Sequence, residues 1–212
     1  MIVMNKNDSF LKQKKKAFTL VEIVIVLAIT VIVLAIMYEF LTESKKAAVS
    51  NEVNSILQDE ADSIQTELVK LGTQSKGITV IDASNAPDLT YSSLTTDGTD
   101  NNVRVVTGGM HFKYYDGSEW QLLLNDSDGD GIGTLSLNYP NGTNKEIAKH
   151  VTKIKVRPID LNTVPDSSTA RFSDSTGVQF IIELKMKKGY TNITCPVTVN
   201  VKFRNKDATD TP

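Results

Sequence analysis

The sequence predicts an α+β chain. A long N-terminal helix, membrane-spanning in its first half, is packed in its second half by a C-terminal antiparallel β-sheet domain. Three observations predict this. Phe18 to Met37 is an apolar run of twenty residues with one charge and no proline. Residues 49–71 repeat apolar side chains at three- and four-residue spacing. Residues 178–203 alternate apolar and polar side chains with a period of two.

A length of 212 residues suffices for one modest domain plus an anchor. The formal net charge of −2 hides an asymmetry. Residues 1–17 hold five lysines and Asp8; without them the chain has 18 basic and 24 acidic residues, a net of −6. An acidic body gives no reason to expect nucleic-acid binding. The single cysteine, Cys195, excludes an intrachain disulfide, so core packing or a metal must hold the fold.

The first element is Lys14-Lys15-Lys16-Ala17-Phe18-Thr19-Leu20-Val21-Glu22, leading into the apolar run. About 20 apolar residues at ~1.5 Å each span a hydrocarbon core of ~30 Å. Lysines before such a helix stay cytoplasmic, which places the rest of the chain outside the cytoplasmic (inner) membrane. A secretory signal peptide fits less well, because its apolar region is ~7–15 residues and ends in a small-residue cleavage site. Tyr38-Glu39-Phe40 follows Met37 instead. Glu22 is the anomaly. A carboxylate at mid-membrane costs roughly 2.5–3.5 kcal/mol on insertion scales, so a partner cation is expected.

These residues resemble the type IV pilin and type II secretion pseudopilin superfamily. The likeness covers residues 14–40. It implies cleavage between Ala17 and Phe18 by prepilin peptidase, followed by N-methylation of Phe18. It also implies that Glu22 meets the N-terminal amine of a neighbouring subunit during assembly, which supplies the missing cation. The partners it implies are prepilin peptidase, other pilin or pseudopilin subunits, an inner-membrane assembly platform and membrane lipid. Two departures stand out. Ala17 replaces the usual glycine before the cut, and no proline occurs before Pro87 to kink the helix.

The expected organisation is a cleaved leader (1–17), a transmembrane assembly helix (18–40), its amphipathic continuation (41–72) and a globular sheet domain (73–212). In the continuation Val49, Val53, Ile56, Leu57, Ala61, Ile64, Leu68 and Leu71 form one stripe, and Gly72 is the expected stop. Short strands are expected at 78–81 and 103–106, and an exposed loop from Thr95 to Asn102. Residues 110–115 and 119–124 form a hairpin about Asp116-Gly117-Ser118. Strands at 134–139 and 153–157 follow, then a surface loop over 160–176. The clearest hairpin pairs 178–187 with 197–204 about Lys188-Gly189-Tyr190, with one face inward and one in solvent. The stretch 112–120 resembles J-type minor pseudopilins.

One constellation carries metal chemistry. Asp126, Asp128 and Asp130 at alternate positions, followed by Gly131, match the first half of an EF-hand-type loop, and the Ile132 carbonyl is a further candidate ligand. An all-oxygen set points to calcium. Leu137 stands where the bidentate glutamate belongs, so a full EF-hand is excluded. The bland alternative is a solvated Asp/Gly turn.

Nothing points to an enzyme. His111 and His150 are isolated, and no nucleophile elbow or phosphate-cradling loop occurs. Cys195, Trp120 and Tyr115 read as packing residues. The resemblance therefore implies a structural subunit in or at the tip of a filament, from a secretion pseudopilus or a pilus. The alternative is a membrane-anchored, calcium-dependent binding domain that does not polymerise.

Overall fold

The structure is a computed structural model. It describes residues 18–81, 103–106, 108–159 and 175–204. The leader, the Thr95–Asn102 loop and most of the 160–176 loop lie outside them. The chain divides into two compact units, Met1–Lys45 and Lys46–Pro212. One helix, α1 (Leu20–Gln74), runs from the first into the second.

In the first unit the helix is apolar on every side. Its large side chains from Phe18 to Leu41 are all exposed, from Val33 at 47% to Phe18 and Leu20 at 79%. An 18-residue window reaches a mean hydropathy of 3.1, so α1 is long and apolar enough to cross a membrane. Thr30 and Thr42 fold their hydroxyls back onto the carbonyls of Val26 and Tyr38, at 2.7 and 2.9 Å. Such back-bonding satisfies both threonine hydroxyls within the helix.

In the second unit α1 becomes one-sided. Val53, Leu57, Ile64, Leu68 and Leu71 are buried, and Val49 and Ala61 pack beside them. These belong to the apolar stripe expected from spacing. They share a core with an antiparallel sheet of eight strands: β1 (Ser75–Ile81), β2 (Arg104–Val106), β3 (Gly109–Tyr114), β4 (Glu119–Asn125), β5 (Gly133–Asn138), β6 (Asn144–Pro158), β7 (Gly177–Lys188) and β8 (Thr191–Lys202). The order is β1-β3-β4-β5-β6-β7-β8. β2 pairs β6 through Ile154–Val156, beyond the residues of β6 that pair β5. Phe112, Phe180 and Phe203 meet at the centre, with ring centroids 6.3 and 6.5 Å from Phe112.

β7 and β8 follow their period-two pattern. Val178, Phe180, Ile182 and Leu184 are buried, opposite Val201, Val199, Val197 and half-buried Cys195. The β3–β4 turn also forms as expected. The Ser118 hydroxyl and backbone N–H both donate to Asp116 Oδ1. These bonds hold the Asp116 carboxyl below its ordinary value. Trp120 stacks on Tyr114 at 4.7 Å and meets Tyr139 edge-on at 4.5 Å, a packing role.

Four elements differ from expectation by more than one residue. β1 starts at Ser75, three residues before the expected 78, and β8 at Thr191, six before the expected 197. β6 starts at Asn144, nine residues before the expected 153. Ile147 and Ala148 are adjacent and both buried, and the register against β5 shifts at Leu135/Ser136. That irregularity breaks the alternation by which a strand is recognised. Gly72 does not end the helix, which continues to Gln74. A Cβ at Gly72 lies only 1.8 Å from Val201 Cγ1. Glycine here lets the last turn of α1 close onto β8.

Gly72→Ala therefore sets two effects against each other. Helix propensity favours alanine by about 1 kcal/mol. Overpacking against Val201 costs about 1–3 kcal/mol, so net destabilisation is expected in urea unfolding. Phe180→Ala should cost about 3–5 kcal/mol in the same assay.

Candidate functional site

The start of α1 is closed by its own side chains. Thr19 Oγ1 accepts from the Glu22 backbone N–H at 3.3 Å. Glu22 Oε2 accepts from the Thr19 backbone N–H at 2.9 Å and from its hydroxyl at 3.0 Å. This is a reciprocal capping box with Thr19 as N-cap and Glu22 three residues on. The carboxylate thus sits over the first turn, where the unsatisfied amides and helix dipole favour negative charge. All its bonds fall on Oε2; Oε1 has no donor among the described residues. Glu22, expected from its position to need a cation, thus has a local partner as well, and Thr-x-x-Glu before an apolar run is its signal in the sequence. Phe18, two residues before the helix, is exposed, and Ala17 lies outside the described residues.

The acidic loop joins β4 to β5. Ligand oxygens of Asp126, Asp128 and Asp130 lie within 4.8 Å of one another, and all three residues are exposed. Asp126 Oδ1 accepts from the Gly129 amide at 2.8 Å, and its Oδ2 from the Gly131 amide at 3.0 Å. Asp130 Oδ1 accepts from the Ile132 amide at 2.7 Å. Gly129 and Gly131 take φ of +73° and +80°, which a side chain resists. Three carboxylates this close together could offer part of the oxygen shell of a divalent ion. Leu137 is buried in β5, so no twelfth-position ligand exists there.

A third set of polar groups clasps the second half of α1 to the sheet. Lys188 Nζ donates to Glu52 Oε1 at 2.6 Å. Glu60 takes His150 with both oxygens, the ring Nδ1 at 2.7 Å and the backbone N–H at 3.2 Å. Lys145 Nζ donates to Glu67 Oε1 at 2.6 Å. That bond raises the Lys145 amine above its ordinary value of 10.5. Beside it lies an open cleft of about 280 Å³, lined by Asp62, Ser63, Thr66 and Glu67 of α1 and by Lys145 and Glu146 of β6. His111 is the other histidine; it sits 3.6 Å from Glu119 on β4 and belongs to no group of three potential metal ligands among the described residues.

Residues 12–38 match the family model of the prokaryotic N-terminal methylation motif. The chain carries that motif. It is the signature of type IV pilins and pseudopilins, and it takes in Lys14–Lys16, Ala17, Phe18 and Glu22. The match ends before residues 112–120 and does not confirm the J-type likeness. No curated protein and no solved structure gave a match.

The Lys145–Glu67 bond has a pH signature. A raised amine pKa contributes stability that is full below 10.5 and is lost as pH rises through the folded value. The stability gap between wild type and Lys145→Met should hold constant from pH 7 to about 10 and shrink above it. Urea unfolding followed by Trp120 fluorescence measures that gap.

Proposed function

We propose that the chain is a pilin-like structural subunit, cut by prepilin peptidase between Ala17 and Phe18, stored in the cytoplasmic membrane and assembled into a filament or at its tip. The observation that carries this reading is the methylation motif placed directly on an exposed apolar helix. Cleavage would put a new amine at Phe18, four residues from Glu22. In this reading the capping box holds one oxygen of Glu22 and leaves Oε1 for the amine of a neighbouring copy. The match to a methylation motif that is the signature of pilins and pseudopilins favours a mechanical role over an enzymatic one.

A second reading is favoured by the convergence of three carboxylates in the β4–β5 loop. Asp126, Asp128 and Asp130 would hold calcium, and the ion would relieve their mutual repulsion and fix the loop between two core strands. A membrane-anchored binding domain that never polymerises would share the anchor and this loop, but would use Glu22 only as a helix cap.

Glu22→Ala should abolish incorporation into filaments while membrane insertion persists, measured by shearing and fractionating cells. Unchanged incorporation contradicts the assembly role. Titration with CaCl₂ should release or absorb heat in calorimetry and raise the melting temperature, through added stability of about 2.7 kcal/mol at a hundredfold excess over Kd. Asp128→Asn should remove both effects. Absence of heat in the wild-type chain leaves the loop a solvated turn.

A further inference from the structure

We propose that the cleft beside Glu67 receives the β7–β8 tip of a second copy of this chain. The inference rests on the filament reading and adds a specific contact to it.

The receiving surface is acidic and incompletely satisfied. Three carboxylates, Asp62, Glu67 and Glu146, face one ammonium, Lys145. Glu146 is also shared with Lys149 at 3.2 Å on the surface. Glu67 is 9% exposed, and its Oε2 is buried without a hydrogen-bond partner. A buried carboxylate oxygen left unpaired forfeits its hydration without replacement. From Ala47 to Val69 α1 carries five acidic residues and no basic one. Glu52, Glu60 and Glu67 are bonded to the sheet; Asp59 and Asp62 are exposed on the helix.

The donating surface has the opposite charge. The β7–β8 tip presents Lys185 and Lys187, both exposed, neither with an ionic partner among the described residues. Tyr190 at the turn is 99% exposed. A bare aromatic flanked by cations is a poor solvent-facing surface and a good contact anchor. The tip cannot fill its own cleft. Lys188 fixes it at the level of Glu52, whereas the cleft lies at Glu67, fifteen residues further along α1. That separation is about 22 Å along the helix. Two complementary patches at different heights on one domain make a heterologous, head-to-tail contact, which propagates into an open helical array. Copies assembled side by side in a filament have parallel helices, so this contact sets an axial offset of about 22 Å between them.

The test is cross-linking in cells that assemble the full chain. In a Cys195→Ser background, Ser63→Cys places a thiol in the cleft and Asn192→Cys places one beside the tip, leaving the lysines intact. Oxidation should give dimers and higher multimers when both cysteines are present, and none with either alone. Lys185→Glu with Lys187→Glu should abolish the cross-link, and adding Asp62→Lys with Glu146→Lys should restore it. Filament incorporation is scored alongside. Normal incorporation with no cross-link overturns this contact and leaves the filament reading standing. Absence of the wild-type chain from any filament fails the filament reading, and the contact with it. A cleft that takes a divalent cation instead would give no cross-link and a magnesium or calcium heat that Glu146→Gln removes, which also overturns the proposal.

Discussion

An apolar helical surface left bare from Phe18 to Leu41 is the constraint on which the rest of the structure depends. Water does not tolerate such a surface, at about 25 cal/mol per Å². It requires lipid, or other helices like itself. In lipid the backbone groups are satisfied within the helix, and Thr30 and Thr42 satisfy their hydroxyls in the same way. Glu22 is the exception to this self-sufficiency. Its box with Thr19 uses one oxygen and closes the helix start, so the charge is held in place rather than dissipated.

The second half of α1 solves a different problem with the same backbone. It must carry a sheet on one side and meet water on the other. The stripe from Val53 to Leu71 supplies the apolar contact. Glu52, Glu60 and Glu67, seven or eight residues apart, add three polar clasps to Lys188, His150 and Lys145 along one side of the sheet. Gly72 completes the seating by letting the helix end approach Val201. Hydrophobic burial supplies the cohesion, while the clasps set which strand lies at which height on the helix.

Features made within a few residues were legible in the sequence. The apolar run, the stripe of α1, the β3–β4 turn about Asp116 and the β7–β8 alternation all declare themselves locally. So does the acidic loop, whose three carboxylates converge because alternate residues of a tight turn share a side. The first half of β6 was not legible, because Ile147 and Ala148 point inward together and break the period. The Glu60–His150 and Glu67–Lys145 bonds join residues 90 and 78 positions apart, and no local pattern announces such a pair. Gly72 was misread as a helix stop for a related reason: its need for glycine comes from Val201, a residue far along the chain. The box between Thr19 and Glu22 is local and legible as Thr-x-x-Glu, while the same carboxylate also signals a distant cation by its cost in a membrane.

The chemistry at the start of α1 is the point at which the account stands or falls. The most direct measurement is the mass of the N-terminal peptide of the mature protein isolated from its native membrane. The account predicts a chain that begins at Phe18 and carries one methyl group on its amine. A chain that retains Lys14–Ala17, or that begins at Phe18 without the methyl group, contradicts it.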